Sequence, residues 1–187
     1  MERVIPEQFE TERLIIRCPG LEDVEEIHNA ILESLDDLKP WMSWANEGLK
    51  RGAVEKNLRV AVANFITQEN LRYHFHCKQN GRFLVASGLQ QINWDIPSFE
   101  IGYWCRSSEQ GKGYVSEGVR ALCKLAFEHL KAARVSIHCD DKNYRSYKIP
   151  ERLGFDLEGI HKNDSLSPSG ELRSTRIYAL TDASFQK

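Results

Sequence analysis

Apolar residues recur along this 187-residue chain with two different periods, and the changes from one period to the other predict its elements. Glu12–Arg17 reads as a first strand, closed by Pro19-Gly20, after which Leu21, Val24, Ile27, His28 and Ile31 fall three or four apart as the stripe of a helix. Leu38–Trp44, with Pro40, Trp41 and Trp44, is irregular, and a second helix follows with Val54, Leu58, Ala61, Val62 and Phe65 on one face. Tyr73–Lys78 and Arg82–Asn93 are strands joined by Gln79-Asn80-Gly81, because Asn-Gly tolerates the positive φ of a tight hairpin. Phe99–Cys105 is a fourth strand. From Gly113 the helical spacing returns at Val115, Val119, Leu122, Ala126 and Leu130. Val135–Cys139 is a short strand, and Asn143–Leu153 a short helix stopped by Gly154 in a left-handed conformation. Phe155–His161 and Leu172–Leu180 are the closing strands, separated by a polar loop, Lys162–Gly170. No repeat and no Pro/Gly/Ser linker divides residues 1–187, so the pattern predicts a single α+β domain with one mixed central sheet flanked by helices.

Composition narrows the function. At 41% hydrophobic residues the chain can bury a core. A formal charge of -2 provides no general cationic field, so nucleic acid and anionic membranes are not expected partners and any anion site must be local. No apolar run approaches the roughly 20 residues of a bilayer span, and Met1–Pro6 lacks an apolar signal core, which together predict a cytoplasmic protein. Five scattered cysteines without CxxC spacing read as reduced thiols. His74 and His76 share one strand face but have no third ligand nearby in sequence, so they read as a strand feature and no metal is expected.

Chemistry concentrates in two places. Gln110-Gly111-Lys112-Gly113-Tyr114-Val115 sets two glycines between a strand and the first turn of a helix, where unpaired N–H groups and the positive end of the helix dipole point outward. Such a turn suits a phosphate, with Lys112 adding charge, although these residues alone also describe a plain strand-to-helix turn. It is neither the GxGxxG of a dinucleotide fold nor a GxxxxGK[ST] loop. Asn143 is a good N-cap with Ser146 three residues on, which by itself describes a capped helix and a surface serine.

Gln110–Val115 also resembles the Q/R-x-x-G-x-G/A signature of the GCN5-related N-acetyltransferases (GNAT). Thr11-Glu12-Arg13-Leu14, Trp41 and Trp44, Glu100–Trp104, Gly113–Glu117, Asn143-x-x-Ser146 and Leu153-Gly154-Phe155-x-Leu157-Glu158-Gly159 extend the resemblance to the branch typified by the ribosomal-protein N-terminal acetyltransferases RimJ and RimL. The resemblance implies acetyl-CoA as cosubstrate, its pyrophosphate on the loop at Gln110, Gly111, Lys112, Gly113, Tyr114 and Val115. It also implies a splayed strand pair whose backbone at Trp104, Cys105 and Arg106 meets the pantetheine, with Asn143 as a further contact. Ser146 would be the general acid at the thioester sulfur and Glu158 the general base. The acceptor it implies is a primary amine attacking directly in a ternary complex: a protein α-amino terminus, a ribosomal protein's among them. Small amines, antibiotics, or a silent acetyl-CoA sensor are the alternatives, in a monomer or homodimer. Cys105 and Cys139 have no base beside them in sequence and are not expected to be acylated.

The acceptor's protonation state matters here. A free α-amino group of pKa about 7.7–8.0 is neutral in roughly a tenth of molecules at pH 7, a lysine of pKa about 10.4 in roughly one of 2,500. Three positions depart from the family pattern. Val115 stands where Gly or Ala is preferred, which would loosen packing on the pyrophosphate. Pro150 lies inside the short helix from Asn143 and deprives the Ser146 carbonyl of its usual donor. Ser174 follows Gly170 at the spacing where the family often has aspartate.

Overall fold

A computed structural model describes residues 4–185, so residues 1–3 of the Met1–Pro6 stretch and the last two residues of the 1–187 span lie outside the described residues. Its strands are β1 (Gln8–Glu10), β2 (Leu14–Arg17), β3 (Leu71–Cys77), β4 (Phe83–Asn93), β5 (Ser98–Cys105), β6 (Arg134–Asp140), β7 (Asp156–Leu166) and β8 (Leu172–Thr181). The helices are α1 (Val24–Glu33), α2 (Leu35–Leu38), α3 (Arg51–Ile66), α4 (Tyr114–Lys124), α5 (Tyr144–Arg152) and α6 (Asp182–Phe185). All eight strands form one sheet in the order β1-β2-β3-β4-β5-β6-β8-β7. Every pairing is antiparallel except β5 with β6, which makes the sheet mixed as the pattern predicts.

Each face of the sheet carries its own core. Val24, Ile27, Ile31, Val54 and Leu58 from α1 and α3 pack on Phe83, while Val119, Leu122 and the following turn of α4 pack with Phe75, Ile101 and Val135. The helix after Gly113 widens its hydrogen-bond spacing at its end: Leu125–His129 is a π-turn, closed by the Leu130 amide on the Leu125 carbonyl. Gly118 brings α4 down on β3, since a Cβ there would lie 2.0 Å from Phe75 Cε2.

Two stretches read from sequence as irregular or loop prove ordered. Leu38–Trp44 follows a four-residue helix, α2, that its irregular pattern did not reveal. The polar loop Lys162–Gly170 is mostly strand: β7 runs on to Leu166 and turns at Ser167–Gly170, where the Gly170 amide donates to the Ser167 carbonyl. Pairing with β8 imposes this extension on a wholly exposed, polar stretch, and the polarity hid it. Among the described residues no helix is long and apolar enough to cross a membrane.

His74 and His76 are buried, and the fold places Asp23 within 4.8 Å of both, the third ligand-type group that the sequence lacked. Burial, with the Arg72 cation close by, depresses His74 to about 3, so it is neutral. Arg17 already forks onto both oxygens of Asp23, at 2.5 and 2.9 Å, and neutralises the one negative charge that would attract a dication.

Candidate active site

β5 and β6 pair only from Ser98–Glu100 to Arg134–Ser136 and then diverge. Beyond that point β5 stays hydrogen-bonded to β4 as far as Cys105 and β6 to β8 as far as Asp140, so the two strands leave a wedge between their C-terminal ends with unpaired backbone on its β5 side. A cleft of about 980 Å³ opens there, lined on one wall by Tyr103, Trp104 and Cys105, on another by the loop Gln110–Ser116 and on a third by Asn143, Ser146 and Ile149 of α5. That is the upper end of the size usual for a cofactor site.

The loop is built to receive an anion. Gly111 and Gly113 adopt φ of 75° and 83°, the left-handed region that glycine enters without strain. The amides of Gly111, Lys112 and Gly113 donate to no acceptor among the described residues, and those of Tyr114–Ser116 open α4 without intrahelical partners. Lys142, Arg145, Lys148 and Arg152 line the cleft from the α5 side, with Arg145 paired to Asp37 and Lys148 to Glu151. Pyrophosphate therefore fits the donors present.

Ser146 stands where the wedge meets α5. The Asn143 side chain caps the helix, its Oδ1 accepting from the Ser146 amide at 3.1 Å. Pro150 does remove the donor that would reach the Ser146 carbonyl, but α5 continues through it, because the Tyr103 hydroxyl donates to that carbonyl at 2.9 Å. Burial raises the Tyr103 phenol well above its ordinary value, so it remains a donor. The serine is thus tied from β5 and from its own cap, with its hydroxyl against the Cys139 thiol.

Residues 13–156 match the model of the acetyltransferase (GNAT) domain. The chain belongs to the GNAT acetyltransferase family. Bacillus subtilis (strain 168) YdaF, provisionally named a ribosomal N-acetyltransferase, is 38% identical over 175 residues, which are 90% of this chain and 91% of that protein. Among solved structures, RimL, described as a ribosomal L7/L12 alpha-N-protein acetyltransferase in complex with coenzyme A, superposes with a TM-score of 0.86 at 22% identity over 92% of this chain and 97% of RimL. The microcin C7 self-immunity acetyltransferase MccE, solved with acetyl-CoA and AMP, gives 0.84 at 19% over 91% and 93%.

This N-acetyltransferase gathers most, though not all, of the residues that the sequence singled out. Trp104, Cys105, Gln110, Gly111, Gly113, Tyr114, Val115, Asn143 and Ser146 line the one cleft. Arg106 does not: its amide extends the sheet to the Leu84 carbonyl, and its side chain turns back to Glu33 at 2.7 Å. Lys112 is not among the lining residues: its carbonyl accepts from Arg13 and its ammonium pairs with Glu109 at 2.9 Å. Glu158 is not among the residues that line the cleft either: both its oxygens meet Arg134 at 2.5 Å, at the start of β6. The Arg134 guanidinium also holds the Glu158 carboxyl below its ordinary value, which makes it a weak base.

The acetyltransferase also uses residues that sequence reasoning missed. Tyr103 is one, and the signal for it was Pro150 itself, which orphans a carbonyl that some donor must meet. Asp37, on the unread α2, accepts from Ser107, Gln110 and Arg145 across the mouth of the cleft. Trp41 and Met42 line the same mouth, whereas Trp44 packs at a tilt against Trp104, 6.2 Å between centroids. Ser174 is not an idle replacement: its hydroxyl accepts from the Asn163 amide and its carbonyl from that of Asp141. Burial pushes both Cys105 and Cys139 up to about 12, so neither is a thiolate near neutrality.

Proposed function

We propose that this acetyltransferase carries the acetyl group of acetyl-CoA directly to the α-amino terminus of a protein, a ribosomal protein being the class its relatives suggest. The observation that carries the reading is the β5–β6 wedge with free amides of the glycine loop at one end and Ser146 at the other. Pyrophosphate on the loop lays the pantetheine along the unpaired edge of β5 and brings the thioester to the serine. Asn143 lies beside it. The amine lone pair attacks the thioester carbon, the C–S bond breaks, and Ser146 Oγ–H gives its proton to the departing sulfur. The same oxygen regains a proton from the new amide nitrogen, so one proton moves from nitrogen to sulfur and nothing else is consumed.

The carboxylates of the cleft favour an acceptor of low basicity. Asp37 is held by Ser107, Gln110 and Arg145, Glu109 by Arg82 and Lys112, and Asp36 by Lys39. With each engaged, the nucleophile must arrive neutral, which an α-amino group does far more often than a lysine. Activation of a cysteine is not needed, and no step calls for a metal.

The test is release of CoA thiol from acetyl-CoA in the presence of short peptides with free or blocked N-termini, polyamines and aminoglycosides. Turnover confined to free N-termini is the expected result. Turnover only on a polyamine or aminoglycoside overturns the acceptor class, and acetyl-CoA binding with no thiol released on any amine overturns the transfer itself in favour of a sensor.

A further inference from the structure

Arg13 lies outside the cleft, in the segment before β2, yet it holds the anion loop from behind. Its Nη1 donates to the Lys112 carbonyl at 3.0 Å and its Nε to Glu117 Oε2 at 2.6 Å. The guanidinium stacks over the Tyr114 ring, 4.7 Å from its centroid, and Nη2 would lie 3.4 Å from a Cβ at Gly113. One planar cation therefore touches three successive residues of the loop. Glu117 completes the tie in the other direction. It sits in the first turn of α4 and accepts at Oε1 from the Thr11 hydroxyl at 2.6 Å and the Arg13 amide at 3.0 Å. Thr11 is in turn bonded to Leu14, the first residue of β2, through both its amide and its hydroxyl.

The geometry has a specific consequence. Gly111 and Gly113 are free to take many backbone conformations, and a loop chosen for close approach to an anion pays in definition. The carbonyl of Lys112, fixed by Arg13, sets the peptide plane whose other end is the Gly113 amide. We propose that Arg13 and Glu117 form a positioning pair for the acetyl donor, holding the Gly111–Gly113 amides aimed into the cleft so that they meet the pyrophosphate without prior ordering. This rests on the reading of the loop as the pyrophosphate site. Neither side chain touches the donor; both act through the loop backbone.

The pair is arranged to persist at neutral pH. Burial alone would raise the Glu117 carboxyl, but bonds from Thr11, the Arg13 amide and the Arg13 guanidinium outweigh it and hold the group below its ordinary value. Lysine could keep the ion pair but, with a single ammonium, would not supply the fork that spans Glu117 and the Lys112 carbonyl.

The experiment compares a ligand that carries the pyrophosphate with one that does not. Dissociation constants for CoA and for acetyl-pantetheine, which lacks the pyrophosphate, are measured by calorimetry on the wild type, Arg13→Ala, Arg13→Lys and Glu117→Gln. Arg13→Ala is expected to weaken CoA about tenfold or more and acetyl-pantetheine less than twofold, with Arg13→Lys and Glu117→Gln intermediate on CoA alone. Kinetically, KM for acetyl-CoA rises while KM for the acceptor stays put. Equal loss on both ligands, or unchanged CoA affinity, overturns the proposal. Should Arg13→Ala not fold, Arg13→Lys decides it on the same criterion: selective loss of CoA supports the pair and wild-type affinity overturns it. Wild-type protein that fails to bind CoA at all refutes the pyrophosphate reading instead, a separate result.

Discussion

Ser146 owes its place to two neighbours that work on its backbone rather than its hydroxyl: Asn143 on its amide and Tyr103 on its carbonyl. Removing the hydroxyl with Ser146→Ala takes away the acid we propose and should lower kcat by about 10²-fold, short of abolishing turnover because loop and cleft remain. Tyr103→Phe leaves the Ser146 carbonyl without a donor next to Pro150. We expect kcat to fall about tenfold with little change in KM for acetyl-CoA, measured by steady-state thiol release. Glu158→Gln should leave kcat/KM within about twofold of wild type, since that carboxylate faces Arg134. At this scale the sequence was uneven. The loop glycines, Asn143 and Ser146 were legible because each residue type is tied to one backbone job. Glu158 was read from resemblance alone, and its pairing with Arg134, 24 positions away in the chain, left no local signal.

α4 links the donor site to the sheet. Its first turn carries the loop and its fifth residue, Gly118, rests on Phe75 with no room for a methyl group. Gly118→Ala would force α4 outward, and overpacking of this kind costs about 1–3 kcal/mol. The expected outcome is a lower melting temperature, by about 2–4 °C per kcal/mol in a chain of this size, together with a raised KM for acetyl-CoA. A wild-type KM in a destabilised variant would separate the loop from its helix. Element positions were mostly readable from period, and the pairing of β3 and β4 was announced by Asn80-Gly81. What escaped was set by tertiary contact: α2 is too short to show a stripe, β1 is three residues held by β2, and the far half of β7 is polar strand imposed by β8.

At the scale of the whole molecule, the buried histidines predict how stability depends on pH. His74, driven down to about 3 by burial and by the nearby Arg72 cation, stays neutral when folded, whereas in the unfolded chain it takes up a proton near 6.5. The unfolded state therefore binds more protons between those values, and stability falls as pH drops below about 6.5, by up to about 1.4 kcal/mol per pH unit from this residue. Urea unfolding at pH 7 and pH 5 measures it, and His74→Phe should flatten the difference. Turnover should be unaffected by a chelator, because the Arg17 fork already occupies Asp23 beside the two imidazoles; loss of activity restored by zinc would contradict that. The general architecture, one mixed sheet between two helical layers, was legible because both cores are written in periodic apolar stripes.

The whole account turns on an amine that must arrive neutral at a cleft whose carboxylates are already engaged. The most direct test is one peptide carrying both a free N-terminus and an internal lysine, incubated with acetyl-CoA and the acetyltransferase at pH 7 and sequenced by tandem mass spectrometry. The account predicts one acetyl group, on the α-nitrogen, with a rate that climbs with pH and levels off near the α-amino pKa of about 8. Acetylation on the lysine side chain, or a rate that keeps rising towards pH 10, would contradict it.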